Sequence, residues 1–382
     1  MNKTVVMAGH VCLDIIPEIH RDFALTPGHL IEIGPAVTAT GGAISNTGVA
    51  CHILGLPTVL MGKIGNDHFG HCVLDIFRRY GETLVDGMTI VPGETTSYTV
   101  VVNVPGSDRS FLHCPGANET FSAEDVAYDK LRDAALFHFG YPPLMRATIA
   151  NDGESLEKMF RHVKDLGVTT SMDMVMPDPH GPSGQLNWEG ILDRVLPLTD
   201  IFLPSADELL YMIDRDNFGQ GDNLGADQVS DVGQRLIDAG VAIGGVKLGT
   251  RGLYVRTANA DRIALMGPGR PDNIEDWCNR ELWFPVYEIE SFASAAGAGD
   301  TTIAGFFAAV LRGLDIEQAG AVANMVGALN VQAPDATSGI KPWDETLAIM
   351  TNSERAELRL EGDGWQFDSK AEVWRGPNDR RS

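Results

Sequence analysis

Short hydrophobic runs rich in β-branched residues recur along the chain, separated by longer segments in which apolar residues have helical spacing. The predicted strands are residues 4–7, 58–61, 135–139, 168–172, 200–203 and 241–248. A predicted helix between the second and third runs has one apolar stripe, formed by Phe69, Val73, Ile76, Phe77 and Tyr80. This alternation predicts an α/β fold: a doubly wound, mostly parallel sheet with helices on both faces.

Two stretches, residues 11–40 and 95–114, break the alternation. The second contains TTSYTVVVNVP and then DRSFLHC, which predicts a hairpin that turns near Pro105 and Gly106. We expect the two stretches to form a small separate β-sheet. Such a lid would cover the carboxyl ends of the parallel strands, where open α/β sheets bind ligands.

The length of 382 residues and the hydrophobic fraction of 44% are sufficient for a large core. We predict one α/β domain over residues 1–350, with residues 351–382 as a C-terminal extension. Within the domain, residues 214–231 are rich in Gly and Asp, which predicts a surface loop.

Composition excludes several classes of function. A formal charge of −23 argues against a nucleic-acid partner, because that class requires clustered Lys and Arg. The five cysteines are scattered without a CxxC spacing, which predicts neither a disulfide framework nor a zinc site and favours a reducing, cytoplasmic compartment. The sequence contains neither a signal-peptide pattern nor an apolar stretch of roughly 18 residues, so we expect no membrane partner.

The stretch Gly297-Ala298-Gly299-Asp300 precedes a helical stripe of apolar residues. Small residues allow a ligand to approach the backbone, and the unpaired amides of a first helical turn bind anions such as phosphate. An aspartate in that turn could take a proton from a hydroxyl that attacks the phosphate. Taken alone, the stretch fits equally well a tight turn with an ordinary helix cap.

A second stretch begins with Gly41 and Gly42 and continues to Asn46, one helical turn later. Two glycines at a helix start again permit close approach of a ligand, and an Asn side chain can both donate to and accept from adjacent hydroxyls. Asp14, at the end of the first strand region, could accept hydrogen bonds from two hydroxyls of the same polyol. As isolated features these residues also fit a turn and a solvated cap.

Together the two stretches resemble a known family. The pattern Gly-Gly-x-x-x-Asn, continuing to Gly-x-x-Gly-x-Asp-x-x-Gly at Gly70, and the later Gly-Ala-Gly-Asp resemble the two signatures of ribokinase-like (PfkB) carbohydrate kinases. The similarity extends from about residue 5 to residue 343. It implies ATP-dependent phosphorylation of a sugar, sugar acid or related polyol, with Mg²⁺, and a β-lid through which a homodimer forms.

The resemblance also implies roles for individual positions. Asp300 corresponds to the catalytic base, and Glu208 to a glutamate that helps to hold Mg²⁺ through water. The anion hole corresponds to Gly297, Ala298 and Gly299. The sugar contacts correspond to Asp14, Gly41, Gly42 and Asn46. The nucleotide-binding positions correspond to Ser205, Lys247, Gly249, Gly252 and Asn324.

Three departures from the family pattern limit these inferences. Ser205 replaces the asparagine of the Asn-x-x-Glu motif, which shortens or removes a nucleotide contact. Ser294 and Ala295 replace an Asp-Thr pair, and the loss of that carboxylate argues against activation by a monovalent cation. Ribokinase has a glutamate where this chain has Gly140 before Tyr141, so the chain is not expected to be a ribokinase.

Two alternatives remain open at this stage. One is a nucleoside kinase, and the other is a non-catalytic protein of the same fold that senses a sugar or a nucleotide. The identity of the acceptor is also open, including whether it already carries a phosphate, since Arg109 and Arg146 could bind one or could be surface charges. No GxxxxGK[ST] and no GxGxxG after the first strand occur, which excludes the corresponding nucleotide-binding classes.

Overall fold

The computed structural model describes residues 3–105 and 110–381. In these residues the strands, in chain order, are β1 (Thr4–Gly9), β2 (Cys12–Pro17), β3 (Ala36–Gly41), β4 (Thr58–Met61), β5 (Lys63–Gly65), β6 (Thr89–Val91), β7 (Tyr98–Val102), β8 (Ser110–Cys114), β9 (Ala134–Gly140), β10 (Thr169–Asp173), β11 (Ile201–Phe202), β12 (Ile243–Lys247), β13 (Leu253–Thr257), β14 (Glu281–Phe284), β15 (Gln366–Asp368) and β16 (Val373–Arg375). The α-helices are α1 (Ala43–Ile53), α2 (His68–Tyr80), α3 (Arg146–Asp165), α4 (Trp188–Val195), α5 (Ala206–Ile213), α6 (Ala226–Asp238), α7 (Ala260–Ala264), α8 (Ile274–Trp277), α9 (Ala298–Leu311), α10 (Ile316–Asn330) and α11 (Trp343–Thr351).

The largest sheet has ten strands in the order β4-β1-β9-β10-β11-β12-β13-β14-β16-β15. The six strands from β4 to β12 are parallel, and the four that follow are antiparallel. The six predicted strand runs fall on these six parallel strands. The mostly parallel α/β fold is therefore confirmed.

Helices cover both faces of the large sheet, as the side chains of β1 show. Val5 and Met7 belong to a core that includes residues of α1, α2, α9 and α10. Val6 and Ala8 point to the opposite face and join residues of α3, α4, α5 and α6. A strand buried on both faces reads as one continuous apolar run, which is why β1 lacks an alternating pattern. Within the described residues, none of the helices has the length and apolar character of a membrane span.

The two stretches that interrupt the alternation form a second sheet, which we call the lid, with the strand order β3-β2-β7-β8. β2 pairs with β3 in antiparallel and with β7 in parallel orientation, and β7 and β8 form the predicted antiparallel hairpin. Pro105 is described, whereas Gly106 lies outside the described residues, as does Arg109. Homodimerisation through the lid stays a prediction.

Part of the predicted loop at residues 214–231 is helical. α6 begins at Ala226, where the Gly225 N–H donates to the Gln228 side-chain oxygen at 2.8 Å. Val229 and Leu236 of this helix are buried in the core. The loop prediction is therefore wrong after residue 225, because apolar residues seven positions apart outweigh a local composition rich in Gly and Asp.

Part of the predicted C-terminal extension, residues 366–375, continues the large sheet. β15 and β16 form a hairpin whose second strand pairs with β14. Beside this edge, the Arg280 guanidinium is fully buried and donates to Asp379 at 2.8 Å and to Glu317 at 2.6 Å. A buried charge is tolerated only when it is paired and hydrogen-bonded, so these contacts anchor the extension to the domain.

Candidate active site

The start of α9 brings small residues against a lysine. Gly297 has φ of 72°, and a Cβ at this position would lie 2.5 Å from the Cβ of Ala336. A Cβ on Gly299 would lie 3.0 Å from the Nζ of Lys247. The Ala298 amide already donates to the Ala295 carbonyl at 3.2 Å. We therefore expect the next amides of the first turn, those of Gly299 and Asp300, to be the ones that bind an anion. The predicted anion hole thus lies beside the predicted nucleotide-binding lysine.

Asp300 is buried, with 3% of its surface exposed, and its carboxylate accepts three hydrogen bonds. Its Oδ2 accepts from the Asn46 amide at 2.9 Å and from the Tyr141 hydroxyl at 2.7 Å. Its Oδ1 accepts from the Thr47 hydroxyl at 3.2 Å. Asn46 and Asp300 are 254 residues apart in sequence. The two predicted stretches therefore meet at one carboxylate.

Tyr141 reaches Asp300 from a strained backbone. It follows β9 with φ of 68° and ψ of 44°, a left-handed conformation that is rare for an aromatic residue and costs about 1–3 kcal/mol. Its amide donates to the Asp173 carbonyl at 3.1 Å, which fixes the turn between two neighbouring parallel strands. Sequence reasoning noted only that Gly140 departs from ribokinase and did not identify Tyr141 as a partner of the base.

A buried cluster of charges surrounds Asp300. The Lys247 ammonium lies 2.8 Å from an oxygen of Asp173, and both side chains are largely buried. Burial raises the pKa of Asp173 to about 7, against the opposing charge of Lys247. Burial alone would lower the pKa of Lys247, but attraction to Asp173 and Glu208 outweighs it and raises the pKa. Asp173 was not among the predicted site residues, since it lies in no recognised motif.

The carboxyl groups of Asp300 and Glu208 respond to the same environment. Burial raises the pKa of Asp300. The charge of Lys247 opposes this rise, and so do the hydrogen bonds that Asp300 accepts from Tyr141, Asn46 and Thr47. Burial likewise raises the pKa of Glu208, and Lys247 again opposes it. The titration of the carboxylates is therefore a property of the cluster rather than of one residue.

Glu208 stands one turn into α5, and its Oε2 accepts from the Ser205 amide at 2.8 Å. The backbone of Ser205 also forms an isolated parallel β-bridge with that of Lys247. Ser205 and Glu208 therefore lie beside the charged cluster. The described residues contain no group of three or more His, Cys, Asp or Glu side chains suited to hold a metal ion. Mg²⁺ usually binds proteins through one or two carboxylates while it keeps waters and phosphate oxygens, so Glu208 and its neighbours fit that donor chemistry.

The four predicted sugar-contact residues come together at a cavity of about 1220 Å³ between the lid and the large sheet. A Cβ on Gly41 would lie 2.4 Å from an oxygen of Asp14. Gly42 has φ of 91°, and a Cβ there would lie 2.5 Å from the Nδ1 of His10. The cavity is lined by Asp14, Gly41, Gly42 and Asn46, and also by Gly297 from the start of α9. A side chain at either glycine would therefore collide with Asp14 or with His10, both of which line the cavity.

The remaining predicted nucleotide residues do not line this cavity. Gly249 and Gly252 form the turn after β12, with φ of 55° and 91°. A Cβ on Gly252 would lie 2.0 Å from the Phe284 carbonyl oxygen, and the Asn324 side chain donates to that oxygen at 2.8 Å. Gly252 and Asn324 thus meet at the end of β14, and the side-chain donor of Asn324 is already engaged by backbone.

Ser294 occupies the place of the carboxylate that the family pattern would have, and its hydroxyl accepts from the Ala296 amide at 3.1 Å. Arg146, a candidate for binding a phosphate, lines the cavity with a side chain that is 66% exposed and lies 3.6 Å from Glu119. The Glu119 carboxylate therefore offsets part of the positive charge that Arg146 could offer to a phosphorylated acceptor.

Comparisons with known proteins give a consistent result. The family model described as pfkB family carbohydrate kinase matches residues 2–343. A protein from Archaeoglobus fulgidus named an uncharacterized sugar kinase is 26% identical over 288 residues, which cover 75% of this chain and 96% of that protein. Fructokinase-2 of Oryza sativa subsp. japonica is 27% identical over 214 residues, which cover 56% of this chain and 60% of the relative.

Solved structures share the fold. A fructokinase with bound ATP from Xylella fastidiosa superposes with a TM-score of 0.70 at 20% identity, and the match covers 92% of this chain and 99% of that one. A ribokinase from Arabidopsis thaliana, complexed with ribose and ATP, has a TM-score of 0.69 at 21% identity and the same coverage. At 20% and 21% sequence identity, this similarity shows that the fold is shared.

Proposed function

The chain belongs to the pfkB family of carbohydrate kinases and is a phosphotransferase that acts on a sugar hydroxyl, and from this premise we propose the finer chemistry. MgATP donates its γ-phosphoryl group to a hydroxyl of a sugar, sugar acid or related polyol, and Asp300 is the general base. The observation that carries the proposal is the buried Asp300 carboxylate in the first turn of α9, which accepts hydrogen bonds from Asn46 and Tyr141, two residues that line the cavity.

The hydrogen bonds of Asp300 suit a base. A carboxylate offers about four lone-pair positions, and Asn46, Thr47 and Tyr141 fill three of them. One position is left for the hydroxyl of an acceptor. All three donors stabilise the ionised form, which is the form that can take a proton.

The reaction requires one proton transfer and one exchange of bonds. The acceptor oxygen forms a bond to the γ-phosphorus while the bond from that phosphorus to the β–γ bridging oxygen breaks. ADP leaves with the bonding electron pair, and the hydroxyl proton passes to Asp300, from which it returns to solvent. Positioning and electrostatic stabilisation account for most of the rate in such transfers.

The other groups of the cluster stabilise charge on the phosphates. The Lys247 ammonium lies beside Gly299, where the phosphoryl group would meet the amides of α9. Glu208, and Asp173 next to it in the charged cluster, would hold Mg²⁺ through water. When bound, Mg²⁺ supplies positive charge to the phosphate oxygens. The use of ATP is supported by the ATP-bound fructokinase and ribokinase that share the fold.

The test measures ADP release from MgATP over a panel of sugars, sugar acids, sugar phosphates and nucleosides. We expect turnover on one class, and we expect Asp300→Asn to lower kcat by about 10²–10⁴ while ATP still binds. Asp315→Asn is the matched control, because Asp315 caps α10 and, within the described part of the chain, its carboxylate accepts only from the Gln318 amide, at 2.8 Å.

The possible outcomes separate the alternatives. If Asp300 were an ordinary helix-terminal acid, the two substitutions would have the same small effect, and the role of base would be wrong. Turnover confined to nucleosides would identify a nucleoside kinase. ATP binding without turnover on any acceptor would identify a sensing protein of the same fold.

A further inference from the structure

His10 is a buried side chain whose hydrogen-bonding capacity is unused. It follows β1 and is 2% exposed, and neither ring nitrogen has a hydrogen-bond partner in the described part of the chain. Buried polar atoms are almost always hydrogen-bonded, and each exception calls for a missing partner such as a ligand. The ring lines the cavity that also holds the predicted sugar contacts.

The ring of His10 connects the lid with the residues around the base. Its centroid lies 5.2 Å from that of His113 in the lid and 6.1 Å from that of Tyr141, which donates to Asp300. Its Nδ1 faces the start of α1, where a Cβ on Gly42 would lie only 2.5 Å away. A molecule in contact with His10 would therefore lie close to the catalytic base.

Asn46 leaves a second unused atom at the same place. Its amide nitrogen donates to Asp300 at 2.9 Å, which orients the side chain, and its Oδ1 is buried without a partner in the described residues. An amide oxygen can only accept a hydrogen bond. A ligand that satisfies this oxygen must therefore donate a hydrogen bond to Asn46, the residue whose amide nitrogen contacts Asp300.

Burial defines which hydrogen bonds His10 can make. It lowers the pKa of His10 to about 3, and His113 acts in the same direction, so the imidazole is neutral near pH 7. A neutral imidazole has one N–H donor and one acceptor nitrogen. This set matches hydroxyl groups, which both donate and accept, better than it matches a carboxylate or a phosphate, which at neutral pH mainly accept.

We propose that His10 is an acceptor-binding residue that, with the Asn46 carbonyl oxygen, selects an uncharged acceptor carrying at least two neighbouring hydroxyl groups. This inference rests on the proposed function of the same site. It excludes sugar acids and sugar phosphates as preferred acceptors. The charges of the cavity support the exclusion, because its described lining has two arginines, Arg79 and Arg146, against the carboxylates of Asp14, Glu119, Asp178 and Asp335.

Steady-state kinetics on the preferred acceptor provide the first test. His10→Phe keeps a ring but removes both nitrogens, and we expect it to raise the acceptor KM about tenfold to hundredfold, because the hydroxyl loses its buried partner. We expect the KM for ATP to stay unchanged. His10→Gln, which retains a donor and an acceptor, should restore most of the lost affinity. An acceptor KM in His10→Phe equal to that of wild type would overturn the proposal.

Deoxy analogues of the acceptor identify the hydroxyl that contacts His10. Wild type should discriminate against the analogue that lacks this hydroxyl, and His10→Phe should lose that discrimination at this position only. The control is His138→Phe, since His138 is also buried with one unpartnered ring nitrogen but does not line the cavity. It should lower Tm without a selective change in acceptor KM. Equal discrimination in wild type and His10→Phe would contradict a direct contact.

Calorimetric titration of acceptors without nucleotide separates this proposal from the proposed function. Binding requires no phosphoryl transfer, so wild type should bind an unphosphorylated sugar, and His10→Phe should bind it about tenfold or more weakly even if turnover were absent. Tighter binding or faster turnover of a sugar acid or sugar phosphate would overturn the proposed acceptor class. Wild-type turnover in Asp300→Asn would overturn the role of the base and leave the His10 inference standing.

Discussion

At the scale of single residues, the base depends on donors that come from separate parts of the chain. Asn46 and Thr47 belong to α1, whereas Tyr141 follows β9 in a left-handed conformation. A strained residue persists only where its surroundings fix it, and here the strain aims a phenol at a carboxylate. Tyr141 is thus the donor whose removal tests the electrostatic support of Asp300.

We expect Tyr141→Phe to lower kcat/KM about tenfold, the effect of removing a hydrogen bond to a charged group. The Tyr141 hydroxyl lowers the pKa of Asp300, so its loss raises that pKa. A base with a raised pKa becomes protonated at higher pH. The acidic limb of the pH profile of kcat/KM should therefore move to higher pH.

Tyr128→Phe is the control for this substitution, because the Tyr128 hydroxyl donates to the Ala123 carbonyl at 2.9 Å and does not line the cavity. Its pH profile should coincide with that of wild type. An unchanged acidic limb in Tyr141→Phe would show that the hydroxyl does not support the ionised base.

The sequence identified residues that lie in local motifs and missed those that depend on long-range contacts. Asp300 and Asn46 were predicted from glycine-containing stretches, and the structure places them 2.9 Å apart. Tyr141 and Asp173 end neighbouring parallel strands, and no spacing in the sequence shows that these ends converge on Lys247 and Asp300. The sequence gives no signal for His10, because its unpaired nitrogens become visible only in three dimensions.

At the scale of elements, the start of α9 depends on a glycine at its N-cap. We expect Gly297→Ala to destabilise the protein and to lower kcat, because a left-handed φ costs an alanine about 1–2 kcal/mol and the Ala336 side chain lies too close. Displacement of the helix start would also move the amides next to Lys247. Urea unfolding and kcat are the measurements.

Gly167→Ala separates the two causes. Gly167 has φ of 77°, close to that of Gly297, but a Cβ there would meet nothing within 4 Å. It should show the backbone penalty alone, with unchanged kcat. Gly297→Ala should cost at least about 1 kcal/mol more, as expected for overpacking. An equal loss of stability in the two variants would indicate that Ala336 can move aside without destabilising the protein.

The parallel strands were predictable as elements, whereas the antiparallel part of the sheet was not. Strands β1, β4, β9, β10, β11 and β12 are buried runs with clear limits in the sequence. β13 and β14 are buried as well, but the antiparallel pairing of β14 with β16 joins residues that are far apart in sequence. Pairing direction is not encoded in a local pattern, so the sequence could not show that one sheet continues through residues 366–375.

At the scale of the whole molecule, stability depends on the ion pairs that attach the extension. We expect Asp379→Asn to lower the free energy of unfolding by about 3 kcal/mol, because it leaves the buried Arg280 guanidinium with only part of its compensating charge. Glu357→Gln is the control, since Glu357 pairs with Arg359 on the exposed surface, and it should change stability by no more than about 0.5 kcal/mol. Equal stability of the two variants would contradict an anchoring role for the pair.

The position of this ion pair also determines when, during synthesis, this edge of the fold can be completed. Asp379 follows Arg280 by 99 residues, an interval of about 5–20 s at ordinary rates of translation. For most of that time β14 has been made, but the hairpin that covers its edge has not. A nascent chain therefore carries an open sheet edge and a partly compensated arginine, the features on which chaperones and proteases act, until the ribosome has passed residue 379.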